Sequence, residues 1–249
     1  MSPVSIESKP PLLIVTIDRP EVRHAVDRTA AEALAGAFRT FELDDELHVA
    51  ILTGAGGTFC AGADLKALAS GDPDRANRLA PDGDGPMGPT RLALSKPVIA
   101  AVEGHAVGGG LELVLWCDLC VAAHDATFGF FNRRWDVPLI DGGTIRLART
   151  IGQSRALDMI LTGRSVTAQD ALAWGLVARL ADPGHALTEA ELLAEQIAAL
   201  PQASLRADRS SALSQWNKPL AEALAQEFEG GMTAIGSGET VAGAKRFRP

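Results

Sequence analysis

Gly104-His105-Ala106-Val107-Gly108-Gly109-Gly110-Leu111-Glu112 is the stretch on which the reading of this chain turns. A glycine triplet there opens an apolar helix whose first turn carries a lone carboxylate, Glu112. Glycine has no Cβ, so a ligand can come close to the main chain. The free N–H groups at a helix start favour a negatively charged oxygen. A second glycine turn, Phe59-Cys60-Ala61-Gly62-Ala63-Asp64-Leu65-Lys66, follows the apolar run Val49–Thr53 and can supply a second amide. Two amides aimed at one oxygen make an oxyanion hole. For either motif by itself, a plain turn or packing role is the competing reading.

Outward from these turns, Leu12–Ile17, Val49–Thr53, Val98–Val102 and Leu119–Ala123 read as strands, the later three as buried parallel ones. Residues 27–41 carry a helical stripe of Ala30, Leu34, Ala37, Phe38 and Phe41. Strand, glycine turn and helix recur in order, which predicts an α/β fold with right-handed crossovers. The segment from Ser70 to Thr90 is rich in Gly, Pro and Asp and reads as a long loop, either a binding loop or a mobile insertion. After Gly142 the chain turns helical, with Ala156–Leu161, Glu189–Leu200 and Pro219–Ile235 clearest and Leu176–Ala178 as a short strand. We expect a core domain over 1–190 and a helical oligomerisation region over 191–249.

Composition narrows the function. The chain has 249 residues, enough for one large domain, and its 47% apolar and 22% charged content is that of a soluble globular protein. A formal charge of -8 argues against a nucleic-acid partner, which calls for a basic footprint. No apolar run approaches the roughly 18 residues of a membrane span, and residues 1–11 lack a secretory signal pattern. Cys60, Cys117 and Cys120 read as buried small residues in a reducing, cytoplasmic protein, not as a redox or metal site. No metal-ligand spacing and no dinucleotide fingerprint are present.

With Lys96–Val102 leading into the glycine triplet and Cys117–Ala123 leaving it, the two turns make the chain resemble the crotonase superfamily. The resemblance runs from about Leu12 to the C-terminus and includes Asp18-Arg19-Pro20, Asp141-Gly142-Gly143-Thr144 and Ala168-Gln169-Asp170-Ala171. It implies a crotonase-like spiral of repeated ββα units with a helical C-terminal region, assembled as a homotrimer or dimer of trimers. It implies an acyl-CoA thioester substrate, with coenzyme A as part of that substrate and no separate cofactor.

By residue match, the N–H groups of Ala63 and Gly109 hold the thioester oxygen, and Glu112 corresponds to one of two glutamates that act in the enoyl-CoA hydratases. Desolvation should raise its pKa toward neutrality; the alternative is a carboxylate that merely stabilises its own helix N-terminus. The second glutamate is absent, and its position is Asn132, which can hold a water but cannot take its proton. Asp141 resembles an acid of the dienoyl-CoA isomerases and could supply the missing group, or it could cap a helix beginning at Gly142. Arg133, Arg134, Trp135 and Asp136 lie nearby with unassigned orientation. Coenzyme A contacts are implied for Arg23, Ala25, Ala61, Asp64 and Leu65; the competing readings are a short-helix cap for Asp64 and a solvated surface charge for Arg23. His24 and His105 read as structural. The expected activity is hydration of a 2-enoyl-CoA; isomerisation by Glu112 alone and acyl-CoA binding without catalysis are the alternatives.

Overall fold

A computed structural model of the chain describes residues 2–247. Met1, Arg248 and Pro249, which belong to the two expected regions, lie outside the described residues. The elements in chain order are β1 (Val4–Lys9), β2 (Leu12–Ile17), α1 (Arg28–Leu43), β3 (Val49–Gly54), α2 (Leu65–Ala69), β4 (Val98–Val102), β5 (His105–Val107), α3 (Gly109–Trp116), β6 (Leu119–Ala123) and β7 (Thr127–Gly129). They continue with α4 (Gly143–Ile151), α5 (Gln153–Thr162), β8 (Ser165–Thr167), α6 (Ala168–Trp174), β9 (Arg179–Ala181), α7 (Ala186–Ala198), α8 (Gln202–Ser214), α9 (Leu220–Gly236) and α10 (Glu239–Arg246).

The strands form two sheets, one ordered β1-β2-β3-β4-β6-β9 and the other β5-β7-β8. From β2 to β9 every pairing in the larger sheet is parallel, and the antiparallel β1 closes its edge. The chain passes from one sheet to the other, β4 to β5 and β6 to β7, before helices return it, and this is the repeating turn of a spiral. Strands β3 and β4 are apolar on both faces because the sheet is covered on both sides. On one side α1 packs its predicted stripe, Ala30, Leu34, Ala37, Phe38 and Phe41, into the main core; on the other α7 contributes Ala186, Ala190, Leu193 and Ala194. Asp27 caps α1 by accepting from the Ala30 N–H at 3.0 Å. At its far end the buried Lys96 ammonium donates to the carbonyls of Phe41 and Asp44 at 2.8 and 2.6 Å.

Two expectations are corrected. The strand placed at Leu176–Ala178 is found at Arg179–Ala181, because the N–H groups of Leu176 and Val177 both close α6 on the Ala171 carbonyl and are not free for a ladder. The helix placed from Gly142 starts at Gly143, since Gly142 takes φ +94°. The loop from Ser70 to Thr90 is irregular, yet not loose: Gly85 and Gly88 bond each other across a two-residue turn, and Met87 at its tip is 1% exposed. The boundary drawn between residues 190 and 191 falls inside α7.

Candidate active site

The first glycine turn is fixed from three directions. Cys60 bonds β5 through its N–H to His105 and its carbonyl to Val107, and Ala61 N–H donates to the Arg23 carbonyl. Ala63 stands opposite Val26 in a parallel bridge in which Val26 bonds Gly62 and Asp64 instead. The Ala63 N–H is therefore turned away from Val26, and it has no acceptor among the described residues. Gly109, the first residue of α3, likewise has a main-chain N–H with no acceptor among the described residues. The two turns touch: a Cβ on Gly62 would lie 2.9 Å from the Gly109 nitrogen, and Gly62 has φ +95°. Only glycine fits there.

Arg19 organises the same turn. Its guanidinium, 11% exposed, pairs with Asp27 at 2.7 Å and Asp64 at 3.1 Å and donates to the Ala25 carbonyl. Asp64 also accepts from the Lys66 and Ala67 N–H groups, so it caps α2 and is fully engaged inside the protein. Of the residues matched to coenzyme A, Ala61 and Leu65 line the central cavity, Asp64 and Ala25 are buried behind it on Arg19, and Arg23 is exposed and holds the turn only through its carbonyl. His24 is buried between the Arg19 N–H and the Ala55 carbonyl, whereas His105 is exposed.

Glu112 is 3% exposed. It does not serve the N-terminus of its own helix. Its Oε1 accepts from the N–H groups of Asp141 and Gly143, each at 2.9 Å, so the carboxylate lies at the start of α4. A side chain at Gly143 would come within 2.9 Å of that oxygen. Burial, reinforced by the neighbouring Asp141, pushes the Glu112 carboxyl up to about 7 against the hydrogen bonds that favour its charge.

Asp141 is 4% exposed and does not cap α4, whose N-cap Gly142 has no side-chain partner. Its Oδ1 instead accepts from the Met87 N–H at 3.0 Å and from the Thr90 hydroxyl. Burial holds this carboxyl above its ordinary value too. Arg146 braces the arrangement by donating to the carbonyls of Asp141 and Thr90 at 2.8 and 2.7 Å.

A cavity of about 270 Å³ has Ala63, Met87, Gly109, Asn132 and Asp141 on its wall and Leu65, Leu68 and Trp135 at its rim, and Glu112 lies behind that wall, bonded to the Asp141 N–H. Asn132 lies in a short 3-10 turn, Phe131–Trp135, with Nδ2 donating to the Val137 carbonyl at 2.6 Å and Oδ1 buried without a partner among the described residues. Trp135 and Asp136 line the cavity, while Arg134 stacks on the Phe131 ring at 4.5 Å and Arg133 is exposed. Among the described residues no group of three or more His, Cys, Asp or Glu is arranged to hold a metal, and the three cysteines are buried and unpaired. Sequence reasoning missed Met87, Thr90, Arg19 and Arg146 as members of the site. Gly85 and Gly88 flanking Pro86-Met87 are the sequence signal from which a tight turn there could be found.

The arrangement offers two main-chain donors without acceptors among the described residues, an apolar cavity with the Asp141 carboxyl on its wall, and a second buried carboxyl, Glu112, that accepts the Asp141 main-chain N–H. A family described as enoyl-CoA hydratase/isomerase matches residues 7–247. The chain is 38% identical over 201 residues to enoyl-CoA hydratase EchA19 of Mycobacterium tuberculosis, covering 78% of this chain and 74% of that protein. It is 42% identical over 193 residues to a carnitinyl-CoA dehydratase of Salmonella arizonae, covering 75% and 71%. The crystal structure of enoyl-CoA hydratase EchA1 from Mycobacterium marinum superposes with a TM-score of 0.92 at 37% identity, over 98% of this chain and 94% of that one.

Proposed function

This chain belongs to the enoyl-CoA hydratase/isomerase family, and from that premise we propose that it hydrates 2-enoyl-CoA thioesters with Glu112 and Asp141 as its acid–base pair. The thioester oxygen is held by the N–H groups of Ala63 and Gly109, where negative charge develops as the enolate forms. Such a donor contributes about 3 kcal/mol or more to barrier lowering. Water adds to C3 and loses a proton to the ionised member of the pair; the protonated member delivers a proton to C2, and the enolate collapses. Burial raises both carboxyls, and the Asp141 charge adds to the rise at Glu112, which suits a proton-holding group at that position.

The observation that carries this reading is Asp141 on the cavity wall with its backbone N–H bonded to Glu112, because Asn132 cannot supply the second carboxylate. Asn132 favours the alternative, a 3-enoyl-CoA isomerase in which Glu112 alone moves the proton. Loss of the conjugated thioester absorbance of crotonyl-CoA, abolished in Glu112→Gln and crippled in Asp141→Asn, supports hydration. Turnover of a 3-enoyl-CoA only, unaffected by Asp141→Asn, supports isomerisation. Tight acyl-CoA binding with no turnover of either ester refutes both and leaves a binding protein.

The same reading extends to assembly and setting. Leu220, Leu224, Phe228, Met232 and Ile235 form an exposed apolar stripe along α9, suited to cover by another copy in a homotrimer or dimer of trimers. Sedimentation of the purified protein tests this. Free cysteines are in keeping with a reducing cytoplasm.

A further inference from the structure

We propose that Met87 determines which acyl groups the site accepts, admitting chains unsubstituted at C2 and excluding those that carry a methyl branch there. The inference rests on the reading of the Gly109 N–H as a donor to the thioester oxygen.

Met87 lies on the cavity wall and is 1% exposed. A Cβ built on Gly109 would meet its Sδ at 2.6 Å and its Cε and Cγ at 3.0 Å, so the thioether end fills the space beside the Gly109 α-carbon. An oxygen accepting from the Gly109 nitrogen at about 2.9 Å brings the carbonyl carbon, and with it C2, next to that same space.

A methionine side chain is adaptable, so its selectivity depends on whether its backbone can retreat. Here it cannot. Asp141 accepts the Met87 N–H at 3.0 Å, Asn77 Nδ2 donates to the Pro86 carbonyl at 2.8 Å, and Gly85 and Gly88 bond each other in both directions at 3.1 and 2.8 Å. Behind the turn, the Ala31 carbonyl leaves no room for even a Cβ on Gly88. The thioether tip can shift to pass a flat, linear enoyl group, whereas an added methyl at C2 needs the volume that the clamped residue occupies.

The test compares kcat/KM for crotonyl-CoA and 2-methylcrotonyl-CoA in the wild type, Met87→Ala and Met87→Leu. One methyl decides on the order of 10–200-fold in a shaped apolar pocket. We expect the wild type and Met87→Leu to prefer the linear ester by at least about tenfold, and Met87→Ala to bring the ratio close to one by raising turnover of the branched ester. A wild type that takes both esters equally, or a Met87→Ala variant with an unchanged ratio, overturns the proposal. Should Met87→Ala not fold, Met87→Val gives the same comparison with more of the buried volume kept. If no form of the protein turns over either ester, hydration is refuted, and calorimetric affinities for butyryl-CoA and 2-methylbutyryl-CoA decide about Met87. The same reversal in Met87→Ala upholds its role, and equal affinities in the wild type end it.

Discussion

Replacing Glu112 with Gln removes a charge and almost no volume, and the amide oxygen can still accept from the Asp141 and Gly143 N–H groups. What changes is the response to pH. The Glu112 carboxyl has its pKa raised from 4.5 to about 7 by burial, so between those values the native protein holds a proton that the unfolded chain has released. Stability therefore falls as pH rises across that window. The contribution is complete below 4.5 and gone above about 7. A shift of this size corresponds to about 3 kcal/mol at roughly 1.4 kcal/mol per pH unit. Urea unfolding of both proteins at pH 5, 6, 7 and 8.5 should show the variant gaining on the wild type by about 2 to 3 kcal/mol from the lowest to the highest pH. Its kcat for crotonyl-CoA should drop by about 10² to 10⁴ with little change in KM. A stability gap that stays constant with pH, or widens in favour of the wild type at high pH, would refute the buried, proton-retaining carboxyl on which the mechanism rests.

Other perturbations probe its surroundings. Gly62→Ala forces a Cβ to within 2.9 Å of the Gly109 nitrogen at a φ of +95°, and should cost about 1 to 3 kcal/mol in a urea melt. It should also lower kcat/KM for crotonyl-CoA by about 100-fold or more; wild-type kinetics would show that the contact between the two turns is irrelevant. Thr90→Val takes the hydroxyl donor from Asp141 without changing shape, for an expected loss of about 1 to 2 kcal/mol in chemical denaturation. Asp64→Asn keeps the oxygen that caps α2 but removes the charge facing Arg19. It should lower stability by about 1.5 to 3 kcal/mol, an effect that disappears if Arg19 is first replaced by Met.

The secondary structure near the site was legible where one interaction dominates. Strands such as Val98–Val102 are continuous apolar runs because both sheet faces are covered, and α1 shows its stripe because only one face meets the core. Strands β5, β7 and β8 escaped notice, and β9 was placed three residues early, because three residues carry too little periodicity to register. Asp141 read equally well as an N-cap or as an acid, since its position before Gly142-Gly143-Thr144 is compatible with both. The fold removes the cap, because Met87 and Thr90, which lie 54 and 51 residues away in the chain, bring their donors to its Oδ1.

From its residues alone this chain already declared two glycine turns open to a ligand, a carboxylate in the first turn of an apolar helix, and alternation of strand and helix. These depend on local conformational freedom and on burial, which neighbours in sequence express. Tertiary structure alone decided that Glu112 serves the N-terminus of α4 and not that of its own helix, that Asp141 holds down the Met87 turn, and that Asp64 is occupied by Arg19 and α2. Each of those outcomes is a choice among hydrogen-bond partners, and a buried polar group accepts whichever donor the folded chain places within about 3 Å of it.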